Sequence, residues 1–327
     1  MRGVLVALAP GTLAYAFLIH PAILVQIVLC CLTAVLVEAL VLVMRNRPVT
    51  ETLQDSSAIL TGWLLAFALP PLAPWWVAVS GTAFAMLLGK HLYGGLGQNP
   101  FNPAMAGYAF LIISFPLQMT QWSTPLLGAT DTLPGITEAF SLIFGSDNLS
   151  APAWDAITRA TPLDRLKQAT PDNTQIHGLF GAYAWEWINL AWLVGGLWML
   201  RQRLITWQIP VFFCASLALC YVLQSLFTDF GSTDSSSLQV FSSPLFGLFS
   251  GSAMLAAFFI CTDPVSAATT PLGRVIYASG IGLLTFVIRE FSSYPEGIAF
   301  AVLLMNLSAP LLDHYCKDCG VNWRLLR

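Results

Sequence analysis

Ten apolar stretches, each close to the length needed to cross a lipid bilayer, run through this chain with few charges inside them. They lie near 3–19, 22–44, 56–72, 74–90, 103–119, 183–200, 207–227, 244–261, 274–289 and 297–315. Only 9% of the residues are charged, against roughly 25% in an ordinary soluble domain. Since a water-soluble core of this size cannot bury so many apolar side chains, the pattern predicts an all-α polytopic membrane protein with about ten transmembrane helices in the lipid bilayer.

The positions of Lys and Arg predict how these helices are oriented. With a cytoplasmic N-terminus, ten of the fourteen Lys and Arg residues fall on the cytoplasmic side: Arg2, Arg45, Arg47, Lys90, Arg201, Arg203, Arg274, Lys317, Arg324 and Arg327. Three of the remaining four (Arg159, Arg165 and Lys167) share one long loop, and long loops count little in the positive-inside rule. The sequence therefore predicts that both termini are cytoplasmic and that residues 120–182 lie on the outer side.

The two halves of the chain echo each other weakly. Asp55-Ser-Ser-Ala-Ile-Leu-Thr-Gly resembles Phe249-Ser-Gly-Ser-Ala-Met-Leu, and each half closes with a Pro/Gly-rich break before an apolar helix. Because five helices per half is an odd number, the second copy is expected to be inverted. We therefore predict a first five-helix repeat at 1–119, an extracytoplasmic loop at 120–182 and a second five-helix repeat at 183–327. Chance likeness between helices rich in Ala, Leu and Gly is the alternative.

The outer loop contains a motif that could carry chemistry, Asp155-Ala-Ile-Thr158-Arg-Ala-Thr161-Pro-Leu-Asp164. An acid, a Thr and then Ala-Thr at this spacing is typical of the segments on which flavin transferases join FMN to a threonine hydroxyl through a phosphoester. The other interpretation is structural, because Thr161-Pro162 with Asp164 behind it would also begin a helix well. Taken alone, the motif does not decide between an attachment site and a helix cap.

Two helix breaks at the predicted inner side carry polar side chains. The first is Gly94-Gly-Leu-Gly-Gln-Asn99-Pro-Phe-Asn102-Pro, and the second is Thr262-Asp263-Pro. Glycines permit close approach to the backbone, and the amides and the carboxyl could bind the polar edge of a heteroaromatic ring such as a flavin. A phosphate-binding loop is excluded because no Gly-Lys-Ser/Thr follows the glycines. The alternative is that Asn99, Asn102 and Asp263 merely cap helices.

Other charged residues in the apolar stretches have several possible roles. Glu38 falls in the middle of the second stretch, where proton relay, ion coordination and simple hydrogen bonding are all open. Arg289 and Glu296, near the predicted outer surface, are interpreted as interfacial anchors. The Cys316/Cys319 pair has no second pair to complete a metal site, so no metal is expected.

These motifs together resemble the NqrB/RnfD family, the membrane flavoproteins of Rnf complexes and of sodium-pumping NADH:quinone reductases. The resemblance covers nearly the whole chain and rests on these segments: Pro70-Pro-Leu-Ala-Pro-Trp, Lys90-His-Leu-Tyr-Gly-Gly-Leu-Gly-Gln-Asn-Pro-Phe-Asn-Pro-Ala-Met, Ala160-Thr-Pro-Leu-Asp, Thr262-Asp-Pro-Val and Tyr294-Pro-Glu-Gly-Ile-Ala-Phe-Ala.

The resemblance implies a subunit of a redox-driven ion-translocating oxidoreductase (a translocase) of the bacterial inner membrane, without its own NADH site. It implies covalent FMN on Thr161 within the motif that includes Asp155 and Thr158, and a non-covalent riboflavin near Asn99, Asn102 and Asp263. The implied scaffold is similar to that of urea transporters. The implied partners are the other Rnf subunits, among them a second covalent flavoprotein and Fe–S subunits, together with a flavin transferase.

A competing function class is a solute channel or transporter on the same inverted-repeat scaffold, with the loop motif serving only as a helix cap. No Lys/Arg cluster suggests a nucleic-acid partner. The sequence leaves open the coupling ion (H⁺ or Na⁺) and the direction of electron flow.

Overall fold

A computed structural model describes residues 1–95, 97–123, 125, 134–145, 158–159, 161–163, 178–182, 184–229, 243–292, 294 and 296–316. The chain divides into two compact units. Unit 1 comprises Met1–Asn99 and Pro103–Thr161, and unit 2 comprises Pro100–Asn102 and Pro162–Arg327.

Unit 1 is built from eight helices and one short two-stranded sheet in its described part. The helices are α1 (Arg2–Leu18), α2 (Ile23–Met44), α3 (Val49–Leu53), α4 (Ser57–Phe67), α5 (Trp75–Phe84), α6 (Pro103–Ser114), α7 (Pro116–Thr120) and α8 (Ile136–Phe144). The axis of α5 continues as a π-helix over Ala85–His91. Strands β1 (Trp122–Ser123) and β2 (Thr158–Arg159) pair antiparallel.

The described part of unit 2 is built mainly from helices. Its helices are α9 (Trp185–Arg201), α10 (Gln208–Asp229), α11 (Pro244–Phe249), α12 (Ala253–Leu255), α13 (Pro271–Phe291) and α14 (Ile298–Cys316). The short α12 runs on as a π-helix over Ala256–Ile260. Between α11 and α12 the chain leaves helical geometry at Ser250, where φ is −109° and ψ is 151°. The apolar stretch 244–261 is therefore a broken helix.

The surface of α2 shows the inverse of the pattern expected in water. Leucine and valine side chains spaced four residues apart are 46–68% exposed along almost its whole length: Leu24, Val28, Leu32, Leu36 and Leu40. The opposite face buries the polar side chains of Gln26, Thr33 and Glu38. An apolar exterior over a polar interior is stable only in lipid, since a soluble protein rarely exposes so large a continuous apolar patch.

Glycines let the helices within each unit approach closely. A methyl group on Gly62 of α4 would lie 2.8 Å from the Cys30 carbonyl oxygen of α2. In unit 2, a methyl group on Gly282 of α13 would lie 2.7 Å from the Phe213 carbonyl oxygen of α10. Small residues at helix contacts are how membrane helices gain van der Waals packing, because lipid supplies no hydrophobic drive between them.

The prediction of a helical, polytopic membrane protein is confirmed, and every one of the ten apolar stretches contains a helix. Among the described residues, four helices are long and apolar enough to cross a membrane: Ile23–Met44, Gln208–Leu226, Pro271–Phe291 and Ile298–Cys316. Arg2–Leu18, Ser57–Phe67 and Pro103–Ser114 are shorter apolar helices. The count of ten crossings and the inverted repeat stay predictions.

Candidate functional site

The segment that carries Thr161 has defined backbone structure at two places. Thr158 and Arg159 form β2, in which Thr158 lies opposite Ser123 and Arg159 opposite Trp122. Thr161 follows two residues later, is half-buried, and comes directly before a helical turn that starts at Pro162. Proline suits the first helical position, so the fold places Thr161 where a helix cap stands. Asp155 lies outside the described residues, and so does the side chain of Thr158.

Leu163 lies in this turn and is buried in unit 2, with 7% of its surface exposed. It lies against Gly251, at the break between α11 and α12. A Cβ atom on Gly251 would come closest to Glu296 Oε2 and would lie 2.9 Å from Leu163 Cδ1, so both side chains closely approach the glycine. Gly251 also has a φ of +62°, which favours glycine. We call this contact between Leu163 and Gly251 the leucine seat.

Asn189 of α9 holds the break beside the leucine seat. Its amide nitrogen donates to the Gly251 carbonyl (2.7 Å) and the Phe249 carbonyl (3.3 Å). Its amide oxygen accepts from the Met254 backbone N–H (3.1 Å). One buried side chain thus satisfies backbone groups on both sides of the break, as a helix interrupted within a bilayer requires. Sequence reasoning missed Asn189, although a lone Asn in an apolar stretch is a signal for such a role.

Arg289 and Glu296 form an ion pair at the same break. Arg289 Nε donates to Glu296 Oε1 (2.7 Å), and Arg289 Nη1 donates to the Gly247 carbonyl (2.8 Å). Glu296 Oε2 also accepts from the Ser252 backbone N–H (3.2 Å). Because Arg289 is only 2% exposed, the interpretation of this residue as an interfacial anchor is wrong. Its charge is satisfied by the carboxylate and by backbone that the break leaves without a helical partner.

The first predicted inner break has the backbone that its glycines suggest. Gly94, Gly95 and Gly97 all have positive φ angles, of 121°, 110° and 90°. The side chains of Asn99 and Asn102 are buried, at 3% and 4% exposure. Asn99 belongs to unit 1 and Asn102 to unit 2.

Asn102 and Asp263 come together within unit 2. The Ile260 carbonyl, at the end of the π-helix, accepts from the Asp263 backbone N–H (3.3 Å) and from Asn102 Nδ2 (3.5 Å). Asp263 is partly buried, and its Oδ2 accepts from the Ser266 hydroxyl (2.7 Å). Burial raises the pKa of the Asp263 carboxyl above its usual value, and the hydrogen bonds from Ser266 and the backbone oppose this only in part. Asn102 and the backbone of Asp263 thus share one carbonyl, and the predicted site of Asn99, Asn102 and Asp263 stays a prediction.

Asn306 of α14 links these two breaks, and sequence reasoning missed it. The hydrogen-bond pattern orients its amide so that its oxygen accepts from the Asn102 backbone N–H (2.9 Å). Its nitrogen then faces Tyr277 Oη (2.5 Å) and the Ser266 carbonyl (3.2 Å). Asn306 is fully buried in a mainly apolar stretch. An amide in such a stretch is a sequence signal from which its role could have been predicted.

Glu38 is fully buried and forms an ion pair with Lys90 of the π-helix, which is 1% exposed. Lys90 Nζ also donates to Ser57 Oγ (2.7 Å), and Ser57 Oγ donates to Asp55 Oδ1 (2.5 Å). His91 Nε2 lies 3.7 Å from Glu38 Oε1. From the sequence, the role of Glu38 was open and Lys90 was assigned to the cytoplasmic side. In the structure Lys90 is buried, and the Glu38 carboxylate compensates its positive charge.

Helices with apolar exteriors, interrupted where buried polar side chains hold the backbone, define a polytopic α-helical membrane protein. The model of the NQR2, RnfD, RnfE family matches residues 1–321. The D subunits of the ion-translocating oxidoreductase complex in Escherichia coli strains SE11 and K12/DH10B are each 46% identical to this chain. Both alignments cover 96% of this chain and 91% of the relative. The chain belongs to the NQR2, RnfD, RnfE family.

Proposed function

We propose that this chain is the membrane subunit of an ion-translocating oxidoreductase of the Rnf type, and that it carries electrons across the membrane through a covalently bound FMN and a second flavin. The observation that carries the proposal is the 46% identity over 96% of the chain to proteins named as subunits of such a complex. The complete Asp155-to-Asp164 motif, with Thr161 on a partly open segment, supports the flavin role.

The proposed topology has ten transmembrane helices in two inverted repeats, both termini in the cytoplasm and residues 120–182 in the periplasm of the bacterial inner membrane. Helices in all ten apolar stretches and the asymmetry of Lys and Arg support this arrangement. The broken helix α11–α12 and the glycine-rich break after the π-helix are typical of inverted-repeat membrane proteins, in which interrupted helices form the ligand sites.

Thr161 would hold FMN through a phosphoester. The surroundings of Thr161 fit that role. Thr161 is half-buried and so remains partly accessible, and the buried Leu163 holds the adjoining turn on unit 2. The flavin supplies the redox chemistry, and the protein supplies position and electrostatics. A covalent link keeps the flavin with its protein at a high local concentration.

The second flavin, a non-covalent riboflavin, would be held by Asn99, Asn102 and Asp263. Asn102 and Asp263 share the Ile260 carbonyl and offer amide and carboxyl groups of the kind that bind the polar edge of a flavin ring. Asn102 is 4% exposed and Asp263 is partly buried, and a less polar environment strengthens polar contacts.

The proposed partners are the other Rnf subunits, including a second covalent flavoprotein and the Fe–S subunits. The NADH site would lie in those partners, so this chain would act as an electron-transfer subunit. A flavin transferase outside the cytoplasm would attach the FMN.

The test is flavin fluorescence of the purified chain on a denaturing gel, after expression in a host that contains the transferase. Wild type should fluoresce, and Thr161→Val, which removes only the hydroxyl, should not. Thr120→Val is the matched control, because Thr120 is exposed at the end of α7 and its hydroxyl only donates to backbone carbonyls. A dark wild-type band would refute the covalent flavin and favour a channel or transporter.

Acid extraction of the same protein tests the second flavin. Flavin that is released by acid is non-covalent, and flavin that stays with the chain is covalent. About one of each per chain is expected, and the absence of acid-released flavin from native membranes would refute the second site.

A further inference from the structure

Close to the proposed attachment residue Thr161, a buried leucine packs on the helix break of unit 2. Leu163 follows Thr161 by two residues and is 7% exposed. Its Cδ1 approaches Gly251 more closely than a residue with a Cβ would allow without a shift, and the Glu296 carboxylate lies beside it. A side chain in close contact with its surroundings loses part of its dispersion energy when it moves by about 0.5–1 Å.

The niche itself is rigid. Asn189 binds the backbone before and after Gly251 with three hydrogen bonds, from 2.7 to 3.3 Å. Glu296 accepts from the Ser252 backbone N–H and is held in turn by Arg289. Arg289 also binds the Gly247 carbonyl, so both sides of the break are tied to side chains from other helices. The leucine seat therefore offers Leu163 a fixed surface.

The chain between Leu163 and Thr161 has little freedom. Pro162 locks its own φ near −65° and restricts the backbone of the residue before it, which is Thr161. Thr161 is therefore separated from the buried Leu163 by one conformationally restricted residue, which limits how far its side chain can swing.

We propose that the leucine seat is a positioning device: Leu163 on Gly251 immobilises Thr161, so that the attached flavin occupies one place. This inference rests on the proposed covalent FMN and adds that the flavin is a stationary carrier. Its consequence is that the distances over which electrons leave and reach the flavin are set by the protein and not by a mobile loop.

The test compares Leu163→Ala with Leu142→Ala by time-resolved fluorescence anisotropy of the covalent flavin in folded, detergent-solubilised protein. Leu142 of α8 is the matched control, because it is also a leucine of the 120–182 segment and is also 7% exposed. Leu163→Ala should add a large-amplitude motion of about a nanosecond, the timescale of a loose side chain or loop. Leu142→Ala and the volume-conserving Leu163→Met should keep the slow decay of the whole particle.

Flavin content on a denaturing gel is measured for the same samples. A dark wild-type band would refute the proposed covalent flavin itself. A fluorescent wild type whose anisotropy decay is unchanged by Leu163→Ala would refute the leucine seat alone. If Leu163→Ala loses the flavin while Leu163→Met and Leu142→Ala retain it, the seat positions Thr161 already for the transferase, which supports the inference. Equal loss in Leu163→Ala and Leu142→Ala would contradict it.

Discussion

Removing one partner of the buried Glu38–Lys90 ion pair should destabilise the protein far more than removing both. The two side chains are 0% and 1% exposed, on α2 and on the π-helix that continues α5. A charge left alone in such a place costs about 3–5 kcal/mol, whereas replacing both partners by apolar side chains is often neutral or stabilising by about 1–4 kcal/mol.

The contacts around each charge predict which single substitution costs more. After Glu38→Leu, Lys90 Nζ still donates to Ser57 Oγ at 2.7 Å, so we expect a loss of about 3 kcal/mol in the free energy of unfolding. After Lys90→Met, the nitrogen that stays closest to Glu38 Oε1 among the ion-pair contacts of the described residues is His91 Nε2, at 3.7 Å, and Glu38 Oε2 has no hydrogen-bond partner there. We therefore expect a loss of about 5 kcal/mol.

The assay is unfolding by SDS in mixed micelles, followed by circular dichroism for wild type, the two single variants and the double variant. Because the double variant should lie near wild type, its loss should fall short of the sum of the two single losses by about 8 kcal/mol, and a shortfall under about 3 kcal/mol would contradict the expected coupling. Glu51→Gln serves as a control for removing a carboxylate at an exposed position, and it should change stability by less than about 0.5 kcal/mol. Additive losses in the double variant would show that the charges do not compensate each other and would refute the reasoning.

Two further predictions concern the polar cluster of unit 2. Because burial raises the pKa of Asp263, the folded state binds a proton more tightly than the unfolded chain, so the melting temperature should fall as pH rises from the usual carboxyl value through the raised one. Asp263→Asn should flatten this dependence in melting curves recorded from pH 4 to 7, and an unchanged slope would contradict the assignment. Asn306→Leu should cost at least about 3 kcal/mol, because it strands the Asn102 N–H, the Ser266 carbonyl and Tyr277 Oη together, whereas Tyr277→Phe should cost about 1 kcal/mol. Asn306→Leu should also lower acid-released flavin; full retention of that flavin in a folded variant would separate Asn306 from the second flavin site.

The positions of the helices could be predicted from the sequence because membrane-spanning segments are long, apolar and locally encoded. The break inside 244–261 could not be predicted, because the stretch is mainly apolar and the local sign of the break is only the short segment Ser250-Gly251-Ser252. What stabilises that break is Asn189, some sixty residues earlier in the chain, and no local pattern contains such a contact.

Some features of the candidate site could likewise be predicted from the sequence and others could not. Asn99, Asn102 and Asp263 were predicted as one ligand site from the polar residues at two breaks, and Asn102 and the Asp263 backbone do bind the same Ile260 carbonyl. The ligand site itself stays a prediction. Lys90 was assigned to the cytoplasmic side because lysine marks cytoplasmic segments. Its burial could not be predicted in the same way, because the carboxylate that compensates its charge, Glu38, is fifty-two residues away.

Three buried amide side chains on continuous helices each bind the backbone of a helix break or connection in the described part of the chain. Gln26 donates to two carbonyls of the connection between α4 and α5, Asn189 binds the break between α11 and α12, and Asn306 binds the break before α6 and the one before α13. Since no water reaches backbone groups in a bilayer, a helix break needs a partner that can donate and accept, and an amide does both. A polar residue in an apolar helix therefore indicates a transport pathway only when no such break lies within its reach. By this criterion the main role of the three amides is structural. Among the described residues, the Glu38–Lys90 pair binds the side chain of Ser57 and does not bind the backbone of a helix break, so the helix breaks do not explain its charges.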